Sequence, residues 1–230
     1  MLANKKEFTK GAVLMVVFLI VLTLIFMPIF GEGKNGLNYL DDLYNSISKG
    51  SAYYIPALKT KNAKMTGKNI MVSFSMKNEK QAAETAALLK QSSGTTVEVT
   101  GAEIKVSGDL NAMILNCLED SDMMFKNQGD KLRTKYGIDE RQSLYNWWEA
   151  WKSMSKNLDK QKKFAETAFI AGINKRAVEC AYNYYGVQPQ NIADKWTLVT
   201  LSLMFYVVYT VWYGFAFLFM FEGWGLRLEH

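Results

Sequence analysis

Histidine is nearly missing from this chain: among 230 residues the one example is His230. It closes the run Leu228-Glu229-His230, which reads as the start of an expression tag, so imidazole catalysis and histidine metal sites are not expected. Cysteine is scarce too. Cys117 and Cys180 are too few for a disulfide framework and too far apart for a CxxC redox or zinc motif. They read as buried thiols on helix faces, with a single disulfide between two helices, in an oxidising compartment, as the sharper alternative. Nucleophile elbows, phosphate-cradling glycine loops, metal-ligand pairs and calcium loops are all missing at the required spacings. Asp120 with Asp122 is a weak cation candidate that reads as a solvated helix face. Glu140 and Glu149 stand too far apart on one helix to work as a carboxylate pair. No enzyme, no metal and no cofactor are expected.

Charge is absent from two long stretches, and this is the strongest positive signal. Residues 11–30, GAVLMVVFLIVLTLIFMPIF, would span about 30 Å as a helix, the thickness of the hydrocarbon core of a bilayer. The run exceeds the apolar part of a signal peptide, and no small-residue cleavage site follows it. Residues 196–221, WTLVTLSLMFYVVYTVWYGFAFLFMF, would span about 39 Å and so tilt or begin above the membrane surface. Trp196 and Trp224 flank this second stretch as an aromatic belt would. Tyr206, Tyr209, Trp212, Tyr213 and Phe217 crowd its interior, as lipid-facing bulk or as a surface for a partner helix or a flat quinone-like molecule. With no Asp, Glu, Lys or Arg inside either stretch, a coupled transporter is disfavoured. A pore lined by Thr197, Thr200, Ser202 and Thr210 remains open.

Lys5, Lys6 and Lys10 precede the first stretch, whereas Lys34 stands with Glu32, Asp41 and Asp42 after it and Arg227 follows the second. The short-flank charge rule then places both termini in the cytoplasm and residues 31–195 outside. Setting aside Lys5, Lys6, Lys10 and Arg227 of the 27 basic residues, and Glu7, Glu222 and Glu229 of the 22 acidic ones, leaves that segment with an excess of about four positive charges. That is no nucleic-acid footprint. Its one basic run, Lys59, Lys61, Lys64 and Lys68, reads as a solvated linker or as an attraction for anionic lipid headgroups.

Between the two stretches the pattern changes to that of a folded domain. Leu40, Leu43, Tyr44 and Ile47 predict a short amphipathic helix ended by Gly50, followed by a connector through Asn69. Ile70, Val72, Phe74 and Met76 alternate as a strand, and Asn78 with Gln81 opens a helix that Gly94 closes. Val97 and Val99, then Ile104 and Val106, form a hairpin about Gly101, and Ser107 or Asp109 caps a helix toward Met124. This is β-α-β-β-α over about residues 70–127, a two-layer domain in an α+β membrane protein. The pattern resembles the small ring-building modules of secretion-system and sporulation rings, a resemblance that implies membrane attachment and side-by-side oligomers.

The rest, 128–195, reads as helical. Residues 140–154 carry Trp147, Trp148 and Trp151 as a core or a surface for a soluble partner; an aromatic cage would need further rings to converge on them. From Leu158, the positions Ala165, Phe169, Gly172, Ile173, Ala177, Cys180, Ala181 and Tyr184 trace one stripe before Gly186 and Pro189, and Asn191 restarts a helix into the second apolar stretch. The expected function is a scaffold or accessory subunit that binds the bilayer and either its own copies or other membrane proteins. The alternatives are a homo-oligomeric channel with a soluble vestibule and an extracytoplasmic ligand sensor.

Overall fold

The computed structural model describes residues 2–226; Arg227 and the tag-like Leu228-Glu229-His230 lie outside the described residues. In chain order the elements are α1 (Lys5–Phe26), α2 (Gly36–Ser51), α3 (Ile55–Asn62), β1 (Asn69–Ser75), α4 (Glu79–Lys90), β2 (Thr96–Thr100), β3 (Glu103–Asp109), α5 (Leu110–Phe125), α6 (Gly129–Tyr136), α7 (Glu140–Lys160), α8 (Phe164–Ile173), α9 (Glu179–Asn183) and α10 (Ile192–Trp224). A π-helical turn, Asn174–Val178, joins α8 to α9. The chain divides into two compact units, residues 2–50 with 189–226, and residues 51–188.

The first unit is built on α1 and α10, both long and apolar enough, by length and composition, to cross a membrane. Asn4 caps α1, its side-chain oxygen accepting the N–H groups of Lys6 and Glu7. The helix stops at Phe26, short of the expected end at Phe30. Pro28 explains this: its ring pushes the preceding residue out of the helical region, and Met27 is extended, with φ −74° and ψ 145°. Asn191 caps α10 through the N–H of Ala193, and Gly225 closes it in the left-handed conformation at φ 84°. The two helices run antiparallel in close contact. A Cβ placed on Gly11 would lie 2.6 Å from the backbone nitrogen of Met220 and 2.7 Å from the carbonyl of Ala216, and one on Gly223 would lie 2.5 Å from Phe8 Cβ. Small residues therefore set the helix separation here, as they do where no water drives association. Farther along, Phe18 stacks on Tyr209 at 4.2 Å and leans on Tyr213 at 5.1 Å. Helix α2 extends through Ser51, past the expected stop at Gly50, and joins this unit through Tyr44 Oη, 2.6 Å from Ser202 Oγ.

The second unit holds a three-stranded antiparallel sheet in the order β1-β3-β2. Val72 pairs with Val106 and Phe74 with Ile104, so the buried set of each strand shares one face. The N-cap expected at Asn78 forms, its side chain accepting the N–H of Gln81, and of the two proposed caps for α5 it is Asp109 that accepts, from Asn111. The region read as a connector is partly helical: α3 buries Ile55 and Leu58, and Pro56 sits in its first turn, where a missing N–H costs nothing. One continuous hydrophobic core runs from Ile55 to Ala181, so residues 70–127 and the helices after them share an interior. Helix α7 also guards an edge of the sheet. Asn157 Nδ2, and Gln161 Nε2 and Lys163 Nζ just past its end, donate to the carbonyls of Ser73, Met71 and Asn69 on the side of β1 away from β3. Those side chains occupy hydrogen-bonding groups that would otherwise accept a foreign strand.

Candidate functional site

Helix α10 presents its aromatic residues in two ways. Tyr206 is 67% exposed, and Leu203, Met204, Val207, Val208, Val211 and Phe215 are exposed with it. Tyr209 and Tyr213 instead pack on Phe18 of α1, and Phe217 meets Tyr213 edge-on at 4.7 Å. Thus of the five residues expected to bind a partner helix, Tyr209 and Tyr213 already serve a helix of this same chain. Trp212 is half-buried, and its indole N–H, like the hydroxyl of Tyr209, is buried without a hydrogen-bond partner. Ser202 Oγ and Thr210 Oγ1, proposed as pore-lining hydroxyls, donate to the carbonyls of Val199 and Tyr206 within α10.

Helix α7 corrects the expected soluble partner surface. Trp147 and Trp151 are fully buried and stack on each other at 5.5 Å, because their four-residue spacing puts both on the face that meets α5. Trp148, one residue round the helix, is only half-buried. The indole of Trp151 donates to Cys117 Sγ at 3.1 Å. Cys117 and Cys180 are both free, so the disulfide considered above is not formed; burial holds the Cys117 thiol protonated, pushing it up to about 12. Cys180 Sγ turns instead to the carbonyl of Lys175 at 3.5 Å.

Asp120 is not on a solvated face. It is fully buried, 2.7 Å from Lys135 Nζ, 2.7 Å from Tyr136 Oη and 2.8 Å from Trp147 Nε1. Burial raises its carboxyl above the ordinary range, opposed by the hydrogen bond from Lys135, and burial likewise raises the Tyr136 hydroxyl. The network ties α5, α6 and α7 together, with Asn116 Oδ1 a second acceptor for Lys135 at 2.7 Å. Three donors from two other helices thus fix the Asp120 carboxylate in place. Its neighbour Asp122 is half-buried and accepts from Lys126 and Tyr53. Glu140 and Glu149 are likewise separated: Glu140 accepts from Arg133 and Tyr185, while Glu149 accepts from Tyr145. No group of three or more metal-ligating side chains occurs among the described residues.

One concave site in the second unit was not legible in the sequence. A cleft of about 420 Å³ is lined by Leu144, Tyr145 and Trp148 of α7 and by Val178, Glu179, Tyr182 and Asn183 on the other side. Tyr145 and Trp148 lie three residues apart and stack at 6.2 Å; Glu179 and Tyr182 have the same spacing on α9. Trp148 Nε1 donates to Glu179 Oε1 at 2.8 Å, and Asn174 Nδ2 of the π-turn donates to the Trp148 carbonyl at 3.2 Å. The wider π-turn rotates the residues after it relative to α8, a device that recurs beside binding sites.

Comparison with protein-family models, curated proteins and solved structures gives no match, so the functional reading rests on the chain's own residues and geometry.

Proposed function

We propose that this chain is a membrane-anchored scaffold or accessory subunit of an oligomeric membrane complex. In this reading α1 and α10 span the bilayer as an antiparallel pair, both termini lie in the cytoplasm, and the unit of residues 51–188 stands outside. One observation carries it. The outward faces of α1 and α10 expose Val13, Val16, Leu19, Ile20 and Leu24, and Leu201, Met204, Tyr206, Val208 and Phe215, an apolar surface that water would not tolerate but lipid or a neighbouring helix would. The absence of charged residues from the lipid-depth part of α10 supports an anchoring role rather than a transport path. The second unit, tied down at both of its ends, is the part available to hold soluble partners, and Tyr206 with the exposed face beside it is the part available to hold membrane partners.

Light scattering of the detergent-extracted protein, with the detergent contribution subtracted, tests this. A defined multiple of 26.2 kDa supports assembly through the chain's own surfaces. A strict monomer that captures no membrane protein from its native membrane contradicts the scaffold role.

A further inference from the structure

We propose that the cleft between α7 and α9 binds a small organic cation, an alkylated ammonium, between Tyr145, Trp148 and Tyr182 and against the carboxylate of Glu179. This inference is independent of the membrane reading, since every lining residue belongs to the second unit.

Two features of the cleft converge on this ligand. The first is ring convergence. Two neighbouring aromatic residues on one helix cannot surround a cation, but here α9 supplies Tyr182 opposite the Tyr145–Trp148 stack, and aromatic rings from two elements are what an ammonium with apolar substituents requires. The second is charge. Glu179 is half-buried at the cleft, and its hydrogen-bond partner there is the neutral indole of Trp148; among the described residues no Lys or Arg forms an ion pair with it. A carboxylate drawn partly out of water beside aromatic faces, with no cation of the chain upon it, favours an incoming positive charge. The chain's own cations stay outside the cleft: Lys152 Nζ lies 4.5 Å over the Trp148 ring and Arg141 lies 5.4 Å over that of Tyr182, and neither residue lines it.

The volume agrees. About 420 Å³ admits a trimethylammonium group with a short polar tail, whose hydroxyl or ester could reach the side-chain amide of Asn183.

Titration of the full-length protein in detergent with choline, followed by tryptophan fluorescence and calorimetry, tests the proposal. Saturable binding is expected, weakened about tenfold or more for the neutral analogue carrying a tert-butyl group in place of the trimethylammonium. Glu179→Gln keeps the acceptor for Trp148 while removing the charge, and is expected to weaken choline about tenfold. Tyr182→Leu, on an exposed ring, does the same without disturbing the core. Circular dichroism and melting temperature verify that each variant is folded, and should Tyr182→Leu fail to fold, Glu179→Gln and the neutral analogue still decide. Absence of saturable choline binding, equal binding of the neutral analogue, or unchanged affinity in a folded Glu179→Gln protein would overturn the proposal.

Discussion

Helices α7 and α10 are both rich in aromatic residues, and they use them in opposite ways. In α7 the rings of Trp147 and Trp151 are fully enclosed, and each indole N–H finds an acceptor, Asp120 Oδ2 and Cys117 Sγ. In α10 the rings of Tyr206 and Phe215 face outward, while the hydroxyl of Tyr209 and the N–H of Trp212 are buried without a partner. The contrast teaches that aromatic content alone says little about burial. What separates the two helices is their polar complement. Arg141, Lys152, Lys156 and Asp159 are exposed and give α7 a side for water, so its apolar side must turn inward, whereas α10 has no polar side between Lys195 and Glu222 and is suited to an apolar surrounding.

Breaking the comparison at α7 has the largest effect. Trp151→Ala is expected to destabilise the 51–188 unit by about 4 kcal/mol, measured by urea unfolding, because a fully buried indole leaves a cavity that its neighbours cannot fill. Asp120→Ala comes next, at about 3 kcal/mol by the same measurement, since Lys135, Tyr136 and Trp147 all lose their acceptor at once. On the other side of the comparison, Gly11→Leu forces α1 away from the backbone at Ala216 and Met220, a cost of about 2 kcal/mol. Hydrogen exchange read by mass spectrometry is expected to show faster exchange in α1 and α10, with residues 51–188 as protected as before.

Two smaller effects sharpen the contrast. The carboxyl of Glu140 is held below its ordinary value of 4.5, first by its own backbone N–H and then by Arg133 and Tyr185. A depressed carboxylate contributes stability that is present above the unfolded-state value and is lost as the pH falls through the folded-state one. Glu140→Gln is therefore expected to lower stability at neutral pH and to flatten the acid limb below about pH 4.5 in a pH series of melting curves. Tyr209→Phe, by contrast, retains the stack on Phe18 and removes a hydroxyl that bonds to nothing, so the melting temperature of the protein in detergent is expected to stay unchanged or rise slightly.

Local signals in the sequence were informative where the structure is locally determined. The cap at Asn78, the alternation of Val72 and Phe74, the turn at Gly101 with φ 59° and the restart at Asn191 each follow from a residue and its near neighbours. Pro28 carried the information that α1 ends early, but the uncharged run through Phe30 masked it. Asp120 was misread because nothing within a few residues marks its burial; its partner Lys135 comes from the next helix and Trp147 from the one after. The cleft was hidden for the same reason. The three-residue spacings of Tyr145 with Trp148 and of Glu179 with Tyr182 are visible in the sequence, yet their meeting depends on how α7 and α9 pack. Conversely, the partner surface assigned to Trp147 and Trp151 failed because helical spacing alone does not say which side of α7 meets the core.

The central claim, that α10 lies in lipid while the 51–188 unit lies in water, is tested most directly by thiol labelling in open membrane sheets, in a Cys117→Ser, Cys180→Ser background. Met71→Cys, at a position 73% exposed on the sheet, and Tyr206→Cys, at one 67% exposed on α10, are compared for reaction with a membrane-impermeant maleimide. Rapid labelling is expected at position 71 and none at position 206 until detergent is added; equal labelling of both in intact membrane would contradict this placement.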